Sequence, residues 1–283
     1  MRQPWLISIF AIVLFVKVQA ALPAPTEISF ECREGLIWIK ATTLEPATPV
    51  NLLLDTGASV SVINTTAAKR LRLKFGHQIA VRGVETAQTG YALKPLNLKA
   101  EDFQLSSPAL AVDLQTLSSS CAQPVDGLLG ADFFRGRVVQ IDFEANKLRI
   151  IPAQPDSKFA DSLPLQLRPC GMRVPITVNG RKAQWVRLDT GCVSDLQWVT
   201  WDVQTRNCSR KTAIGLTETS IRQTETTVQI GSHQFQNVTT GLHDKAIFDG
   251  EAGLLGNGLL SRFSSITIDA KSGRLFLQPR VGQ

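Results

Sequence analysis

The sequence contains two copies of one pattern, and this internal repeat limits the possible folds more than any other feature. The segment Leu54–Gly57, with the sequence LDTG, recurs as Leu188–Gly191, 134 residues later. The segment Gly127–Gly130, with the sequence GLLG, recurs as Gly253–Gly256 at an offset of 126. A third block, Ile-Asp followed by KLRIIP or RLFLQP, recurs at an offset of 127. Three blocks in the same order, with offsets that differ only by loop lengths, indicate two copies of one structural unit.

Each copy begins with two β-rich runs that predict a hairpin leading into the DTG tripeptide. In the second copy, RVPITV and AQWVRL flank Asn179-Gly180, a pair typical of a type I′ turn. In the first copy, GLIWIKATT and PVNLLL flank a longer turn around Pro46. Short helices are predicted at Thr65–Leu73, capped by Asn64 or Thr65, and after each GLLG, at Ala131–Arg135 and Asn257–Arg262. The fold class is therefore mostly β, with a few short helices and two lobes on either side of a cleft.

The chain divides into four predicted segments. Residues 1–20 form a signal peptide, residues 21–153 the N-terminal lobe, residues 154–171 the interlobe connection, and residues 172–283 the C-terminal lobe. The connection is assigned from the stretch between Pro152 and Pro169, which holds four prolines and several polar residues.

The first 20 residues have the pattern of an export signal. Arg2 supplies a positive charge, an apolar run extends from Leu6 to Val16, and small residues precede a cleavage point after Ala20. The run is shorter than the roughly 17 to 25 residues of a membrane-spanning helix. We therefore expect an exported protein, periplasmic or extracellular, without stable membrane insertion. An uncleaved membrane anchor is the alternative.

Charge and motif patterns argue against several other classes. Without residues 1–20, 28 Lys and Arg residues remain against 24 Asp and Glu, and the basic residues are scattered rather than arranged in a stripe. This distribution argues against nucleic-acid binding. None of the five cysteines forms a CxxC spacing, which argues against a structural zinc site, and their odd number leaves at least one unpaired. The sequence has no HExxH, no GxSxG and no phosphate-binding glycine loop.

The segments LLLDTGAS with DGLLG, and VRLDTGCV with AGLLG, resemble the two half-sites of the pepsin and retropepsin superfamily of aspartic peptidases. The resemblance covers nearly the whole mature chain and looks like two retropepsin-sized units in one chain. It implies a two-lobed aspartic-protease fold with pseudo-two-fold symmetry, and it implies that Asp55 and Asp189 are the catalytic pair. The loop residues that would support this pair are Thr56, Gly57, Thr190 and Gly191, with the two threonines bonding across the axis.

The resemblance implies an endopeptidase that acts on a peptide or protein substrate with no metal and no cofactor. Two carboxyl groups placed together cannot both ionise, so they share one proton. The ionised group would accept a proton from the attacking water, and the protonated group would donate to the peptide carbonyl. The sequence leaves open which aspartate has which role. Because one chain supplies both half-sites, a monomer is expected to be sufficient.

Ala58 and Cys192 follow the two DTG tripeptides, at positions where pepsin-like enzymes carry a serine or threonine that bonds to the catalytic carboxylate. Alanine is normal in retropepsins, but cysteine offers at most a weak S–H donor. Cys192 is either a small buried filler or a disulfide partner. The alternative function is therefore a catalytically silent two-lobed protein that binds peptides or inhibits a partner, although both aspartates are retained.

The segment Val81–Leu93 predicts a substrate flap, a hairpin around the turn ETAQTG. Tyr91, the only tyrosine of the chain, would either close over the substrate or pack within a strand. Trp198 and Trp201 are expected in the core. Three glycosylation sequons begin at Asn64, Asn207 and Asn237, and they matter only if the host glycosylates its exported proteins.

Overall fold

The computed structural model describes residues 25–83, 86–105, 107–152, 161–200, 209–214 and 218–282. The predicted signal peptide, Trp201 and the sequon at Asn207 lie outside these ranges. The strands of the first lobe are β1 (Thr26–Ser29), β2 (Glu31–Arg33), β3 (Leu36–Thr43), β4 (Pro49–Leu54), β5 (Val62–Asn64), β6 (Gln78–Gly83), β7 (Thr86–Ala92), β8 (Leu98–Ala100), β9 (Phe103–Gln104), β10 (Leu110–Val112), β11 (Gly127–Leu129), β12 (Val138–Asp142) and β13 (Lys147–Ile151).

The second half of the chain supplies the remaining strands. They are β14 (Ser162–Pro164), β15 (Gln166–Arg168), β16 (Gly171–Val178), β17 (Gln184–Asp189), β18 (Leu196–Val199), β19 (Ser209–Ile214), β20 (Glu218–Ile230), β21 (His233–His243), β22 (Gly253–Gly256), β23 (Phe263–Asp269) and β24 (Arg274–Pro279). The helices are short: α1 (Thr65–Arg70), α2 (Gln115–Ser119), α3 (Asn257–Leu260) and a 3₁₀ turn at Ala131–Phe134. The mostly β fold class is confirmed.

Each lobe is built on its own sheet. The sheet of the first lobe has the strand order β6-β7-β10-β5-β11-β4-β3-β8-β9, with β2 added beside β3. The sheet of the second lobe has the order β15-β16-β17-β22-β18-β21-β20-β19. In both sheets the strand that leads into DTG pairs in parallel with the strand that carries GLLG, namely β4 with β11 and β17 with β22. The repeat found in the sequence is therefore a repeat of local topology.

A third sheet joins the two lobes, with the order β1-β13-β12-β23-β24-β14. Its centre is the antiparallel pair β12–β23, one strand from each copy. Gln140 lies opposite Thr267, its own counterpart at the repeat offset of 127. Asp142 pairs with Ser265 and Val138 with Asp269 on either side of this point. The pseudo-two-fold axis therefore passes through this strand pair.

One continuous apolar core runs through both lobes and beneath the shared sheet. Its largest fully buried side chains include Phe133, Phe134 and Phe263. A second cluster lies within the first lobe and contains Trp38 and Leu53. Each fully buried side chain of this size contributes about 1.5–3 kcal/mol relative to exposure. The core thus binds the lobes to each other as well as stabilising each one.

The predicted helices form, but they are shorter than expected. Helix α1 begins at Thr65 and ends at Arg70, because Arg72 takes a positive φ of 56°. The Asn64 side chain caps it by accepting the Thr66 N–H at 3.3 Å. Helix α2 was not predicted from the sequence. Its N-cap is Leu114, which offers no side-chain cap, although the Asp113 carboxylate just before it accepts the Gln115 N–H at 2.9 Å.

The Asn179-Gly180 turn forms as predicted, with positive φ values of 51° and 69°. The Arg181 N–H donates to the Val178 carbonyl at 3.1 Å across it. The end of β16 nevertheless pairs with β20 rather than with β17. The hairpin is therefore looser than a two-residue turn implies, because a third strand competes for the same edge.

The described part of the predicted interlobe connection is not a free loop. Strand β14 pairs with β24 at the edge of the shared sheet, and β15 pairs with β16 in the second lobe. Pro164 is compatible with a strand here because an edge strand leaves one row of N–H groups unpaired. Leu163 and Leu165 are buried against the core. The connection is therefore anchored to both sheets.

The predicted flap segment forms a hairpin of β6 and β7, but the turn lies elsewhere than expected. Most of the sequence ETAQTG belongs to strand β7 rather than to a turn, and residues 84–85 between the two strands lie outside the described ranges. At Gly90, the last residue of ETAQTG, a Cβ would lie 2.8 Å from Val81 Cγ2 and 3.0 Å from the Ala111 carbonyl oxygen. Gly90 is thus required by close strand packing.

Candidate active site

The two DTG loops meet where β4 and β17 end. The Asp55 N–H donates to the Leu129 carbonyl at 2.9 Å, which attaches the first loop to the GLLG strand β11. Asp189 is the last residue of β17 and lies opposite Gly256 of β22. Strand pairing in both lobes thus fixes the backbone that carries each carboxyl group. The structure brings together the two aspartates that the sequence analysis selected.

Thr56 and Thr190 link the loops through four hydrogen bonds arranged symmetrically. The Thr56 hydroxyl donates to the Leu188 carbonyl at 2.8 Å and accepts the Thr190 N–H at 3.0 Å. The Thr190 hydroxyl donates to the Leu54 carbonyl at 2.8 Å and accepts the Thr56 N–H at 3.1 Å. Both threonines are fully buried. The bonds connect one lobe to the other and hold the loops in register.

Gly57 and Gly191 allow the carboxyl groups to approach each other. A Cβ on Gly57 would lie 2.5 Å from the carboxyl carbon of Asp189, and a Cβ on Gly191 would lie 2.6 Å from that of Asp55. Real Cβ atoms do not come this close to other heavy atoms, so no other residue fits without moving an aspartate. The glycines also donate N–H groups to the aspartates that precede them, at 2.9 and 3.0 Å.

The Asp55 and Asp189 carboxyl groups lie beside each other, and their environments differ. Burial and the neighbouring Asp55 charge hold the pKa of Asp189 well above its usual range. Burial also raises the pKa of Asp55, but N–H groups of Ala58 and Gly57, at 3.0 and 2.9 Å, oppose the rise. The pair therefore favours a state in which Asp189 holds the shared proton and Asp55 is ionised.

The backbone N–H groups of the residues after the two DTG tripeptides differ in their acceptors. The Ala58 N–H reaches the Asp55 carboxylate, whereas the Cys192 N–H donates at 3.3 Å to the backbone carbonyl of Asp189. Burial, followed by the charge of Asp189, raises the pKa of the Cys192 thiol to about 12. The four cysteines within the described ranges are all free thiols, so Cys192 fills space beside the pair and forms no disulfide with them.

A buried ion pair next to the aspartates was missed by the sequence analysis. Arg187, two residues before Asp189, binds Glu251 through two hydrogen bonds and donates to the Gly57 carbonyl at 3.0 Å. Arg187 lowers the pKa of both aspartates, against the effect of burial. The signal was present in the sequence, because VRLDTG carries a charge where LLLDTG is apolar.

The Tyr91 side chain packs against the core, which is the second of the two roles considered for it. It lies at the base of the β6–β7 hairpin, opposite Gln78 and far along the ladder from the turn. Its ring contacts Phe75 edge-on, with centroids 5.3 Å apart, and packs against the core. Trp198 also packs against the core, as expected. The flap assignment of Tyr91 therefore has no support in its contacts.

The sequons differ in accessibility. Asn64 is buried, and its side chain caps α1 and donates to the Val125 carbonyl at 2.9 Å, so the folded protein does not present it for glycosylation. Asn237 is exposed on β21. Within the described ranges, no three His, Cys, Asp or Glu side chains are grouped to hold a metal ion. No helix in those ranges is long and apolar enough to cross a membrane.

Comparison with known proteins identifies the pattern. A family model described as aspartyl protease matches residues 41–133, which include the first DTG and the first GLLG. This match covers one of the two copies of the repeat. A solved structure, the aspartic proteinase from Irpex lacteus, matches with a TM-score of 0.58 and 13% identity, over 91% of this chain and 98% of that chain. This structural match shows that the chain has the two-lobed fold of aspartic peptidases. No curated protein sequence matches the chain significantly.

Proposed function

We propose that the protein is an exported aspartic endopeptidase, with Asp55 and Asp189 as its catalytic residues. The observation that carries the proposal is the meeting of two carboxyl groups from the two DTG loops, in equivalent positions of the two lobes. The four threonine bonds and the two close glycines hold these carboxyl groups near each other, which is the arrangement that shared proton chemistry needs.

In the proposed mechanism, Asp55 acts as the base and Asp189 as the acid. The ionised Asp55 carboxylate accepts a proton from a bound water as this water attacks the peptide carbonyl. Asp189, which carries the shared proton, donates it to the carbonyl oxygen, so that a neutral tetrahedral intermediate forms. In the breakdown of this intermediate, the newly protonated Asp55 donates its proton to the leaving nitrogen as the C–N bond breaks. The ionised Asp189 takes a proton from one of the two hydroxyl groups, so a carboxylic acid and an amine are released and the pair returns to its starting state. The assignment rests on the stronger N–H donation to Asp55.

The proposed active unit is a monomer. Each lobe contributes one aspartate, and the threonine bonds between the lobes are made within one chain. Activity per molecule should therefore not change when the protein is diluted into the nanomolar range. Export is proposed from the pattern of residues 1–20, and mass spectrometry of the mature N-terminus tests it against the alternative of an uncleaved anchor.

Digestion of a mixed peptide library by the purified mature protein tests the function. The proposal expects cleavage within peptides, which the Asp55→Asn/Asp189→Asn double variant does not give. A folded wild-type protein that binds peptides but cuts none, over pH 3 to 8, would favour the silent binding or inhibitory protein instead. The weak donor set of Asp189 is the feature on the side of that alternative.

A further inference from the structure

Arg187 has a buried charge at a position where the first lobe has none. Its counterpart at the repeat offset of 134 is Leu53, and the counterpart of Glu251 at the offset of 126 is Val125. Leu53 and Val125 belong to the same apolar cluster. The strand arrangement is the same in both lobes, so the fold itself does not require an ion pair here.

The Arg187 and Glu251 side chains are joined by two hydrogen bonds and are almost fully buried. Arg187 Nε donates to Glu251 Oε2 at 2.8 Å and Nη2 donates to Oε1 at 3.1 Å, while the two side chains are 3% and 6% exposed. The guanidinium carbon lies 3.4 Å from the centroid of the Phe248 ring. A Cβ on Gly171 would lie 3.3 Å from the same carbon, so Gly171 leaves room for the guanidinium. These contacts allow one orientation of Arg187.

The third contact of Arg187 crosses between the lobes. Nη1 donates to the Gly57 carbonyl oxygen at 3.0 Å, and the Gly57 N–H in turn donates to Asp55 Oδ1 at 2.9 Å. Arg187 thus holds the peptide unit that follows Gly57, next to the N–H groups that bind the Asp55 carboxylate. The charged groups that act on the two aspartates include Arg187 but not Arg173, which lies opposite Arg187 in the β16–β17 ladder.

A buried ion pair is weak evidence of a stabilising role. Replacing such a pair by apolar residues of similar size is often neutral or stabilising, whereas removing one partner is costly. In the first lobe, the apolar residues Leu53 and Val125 occupy the equivalent positions, so this strand arrangement accommodates an apolar pair in place of the ion pair. The pair in the second lobe therefore needs another explanation than stability.

We infer that Arg187, oriented by Glu251, is a positioning residue of the aspartate pair, which it serves by holding the Gly57 carbonyl of the opposite lobe and by placing a fixed positive charge beside both carboxyl groups. This inference rests on the proposed peptidase function. Glu251 offsets the charge of Arg187, so removal of one partner and removal of the other change the net charge beside the aspartates in opposite directions. Cys192 is the remaining titratable group beside the pair, and its thiol is neutral in the working range.

The test compares pH profiles of kcat/KM for the wild type, Arg187→Met and Glu251→Gln. Arg187→Met removes the positive charge and so raises the pKa of the ionised carboxyl group. The acidic limb of the profile, where activity falls as this group is protonated, should therefore move to higher pH. Glu251→Gln leaves that charge unbalanced, so the limb should move to lower pH. Each shift should be about one pH unit, as expected for a neighbouring charge. Arg173→Met is the matched control, a cation removed from the same strand pair, and its limb should stay in place.

The double variant Arg187→Leu/Glu251→Val separates positioning from stability, because it copies the pair of the first lobe. We expect its urea midpoint to equal or exceed that of the wild type, while kcat falls about tenfold or more through loss of alignment at Gly57. Arg187→Lys should keep the acidic limb of the wild type but not its kcat, because lysine retains the charge without the planar fork.

Unchanged kcat and unchanged limbs in the double variant would overturn the inference. Equal or absent limb shifts in Arg187→Met and Glu251→Gln would do the same, even if the double variant does not fold. If the wild type itself cleaves no peptide, the proposed function fails separately. Carbon-13 NMR titration of the Asp55 and Asp189 carboxyl groups in the same variants then tests the opposite shifts without any activity.

Discussion

Thr56 and Thr190 are each other's hydrogen-bond acceptors: each hydroxyl receives the backbone N–H of the other residue and donates to a carbonyl of the other lobe. The two residues occupy equivalent positions of the repeat, and both are fully buried. This exchange makes the relative position of the lobes depend on the same residues that support the aspartates. Stability and alignment of the site are therefore coupled.

Removal of one threonine hydroxyl should destabilise the whole chain. Thr56→Val leaves the Thr190 N–H and the Leu188 carbonyl buried without their partner, and an unsatisfied buried group costs about 1–3 kcal/mol. We expect the free energy of unfolding in urea to fall by at least that amount. Thr56→Ser should retain most of it, and the exposed Thr239→Val should change it by less than about 0.5 kcal/mol. A Thr56→Val protein as stable as the wild type would contradict the role of these bonds.

Added methyl groups at the two glycines should separate the carboxyl groups. Gly57→Ala places a Cβ 2.5 Å from the Asp189 carboxyl carbon, and Gly191→Ala places one 2.6 Å from that of Asp55. A misplacement of about 1 Å costs about 100-fold in rate, so kcat should fall by at least this factor in each variant. Steady-state kinetics on folded protein gives the answer. Near-normal kcat in either alanine variant would mean that the carboxyl groups need not be this close.

Much of this site was predictable because each half-site is marked by short contiguous motifs. The DTG and GLLG blocks identified Asp55 and Asp189, and the hairpins before them identified the strands that carry them. The turn of the flap hairpin was placed wrongly, because Gly90 is required by packing against Val81 and not by a turn. A single sequence does not reveal which neighbour requires a glycine.

The ion pair was out of reach for a different reason. Arg187 stands out against its counterpart Leu53, but its partner Glu251 lies 64 residues further along the chain. Only the parallel pairing of β17 with β22 brings them together. The difference in pKa between Asp55 and Asp189 likewise depends on which atoms the N–H groups of Ala58 and Cys192 reach, and the DTG tripeptide does not specify this.

The pH dependence of activity should respond to hydroxyl groups placed after DTG. A hydrogen bond to an ionised carboxylate lowers its pKa, so Ala58→Ser and Cys192→Ser should both move the acidic limb of kcat/KM to lower pH. The larger shift is expected for Ala58→Ser, because the acidic limb reports protonation of Asp55, which Ala58 contacts, whereas Cys192 adjoins Asp189, which already holds the shared proton. Activity of the natural protein should peak at weakly acidic pH. An unmoved limb in the folded and active double variant would show that these positions do not tune the pair.

Stability should also depend on pH, with a sign set by Asp189. Its pKa lies well above the value of 3.8 expected for the unfolded chain, so the folded state binds the proton more tightly. The resulting stabilisation is fully present below about pH 4 and is lost as the pH rises through the pKa of the folded state. Urea unfolding at a series of pH values should show this decline, and Asp189→Asn should remove it.

Asp142 provides a control of opposite sign for this experiment. Burial raises its pKa, but the Ala145 N–H and Arg149 outweigh burial and leave the pKa below 3.8. Its stabilisation is present above that pH and is lost as the pH falls, so Asp142→Asn should lower the free energy of unfolding above about pH 4 and remove the decline at the acidic end. If Asp189→Asn leaves the decline above pH 4 intact, the raised pKa of Asp189 is contradicted.

The most direct measurement is the turnover of one cleavable peptide by Asp55→Asn, Asp189→Asn and the double variant, each checked for folding. One proton-sharing pair predicts that either single substitution abolishes turnover and that the double variant is scarcely worse, because members of one catalytic unit do not contribute additively. Substantial turnover by either folded single variant would contradict the account, because one aspartate would then be sufficient for the chemistry.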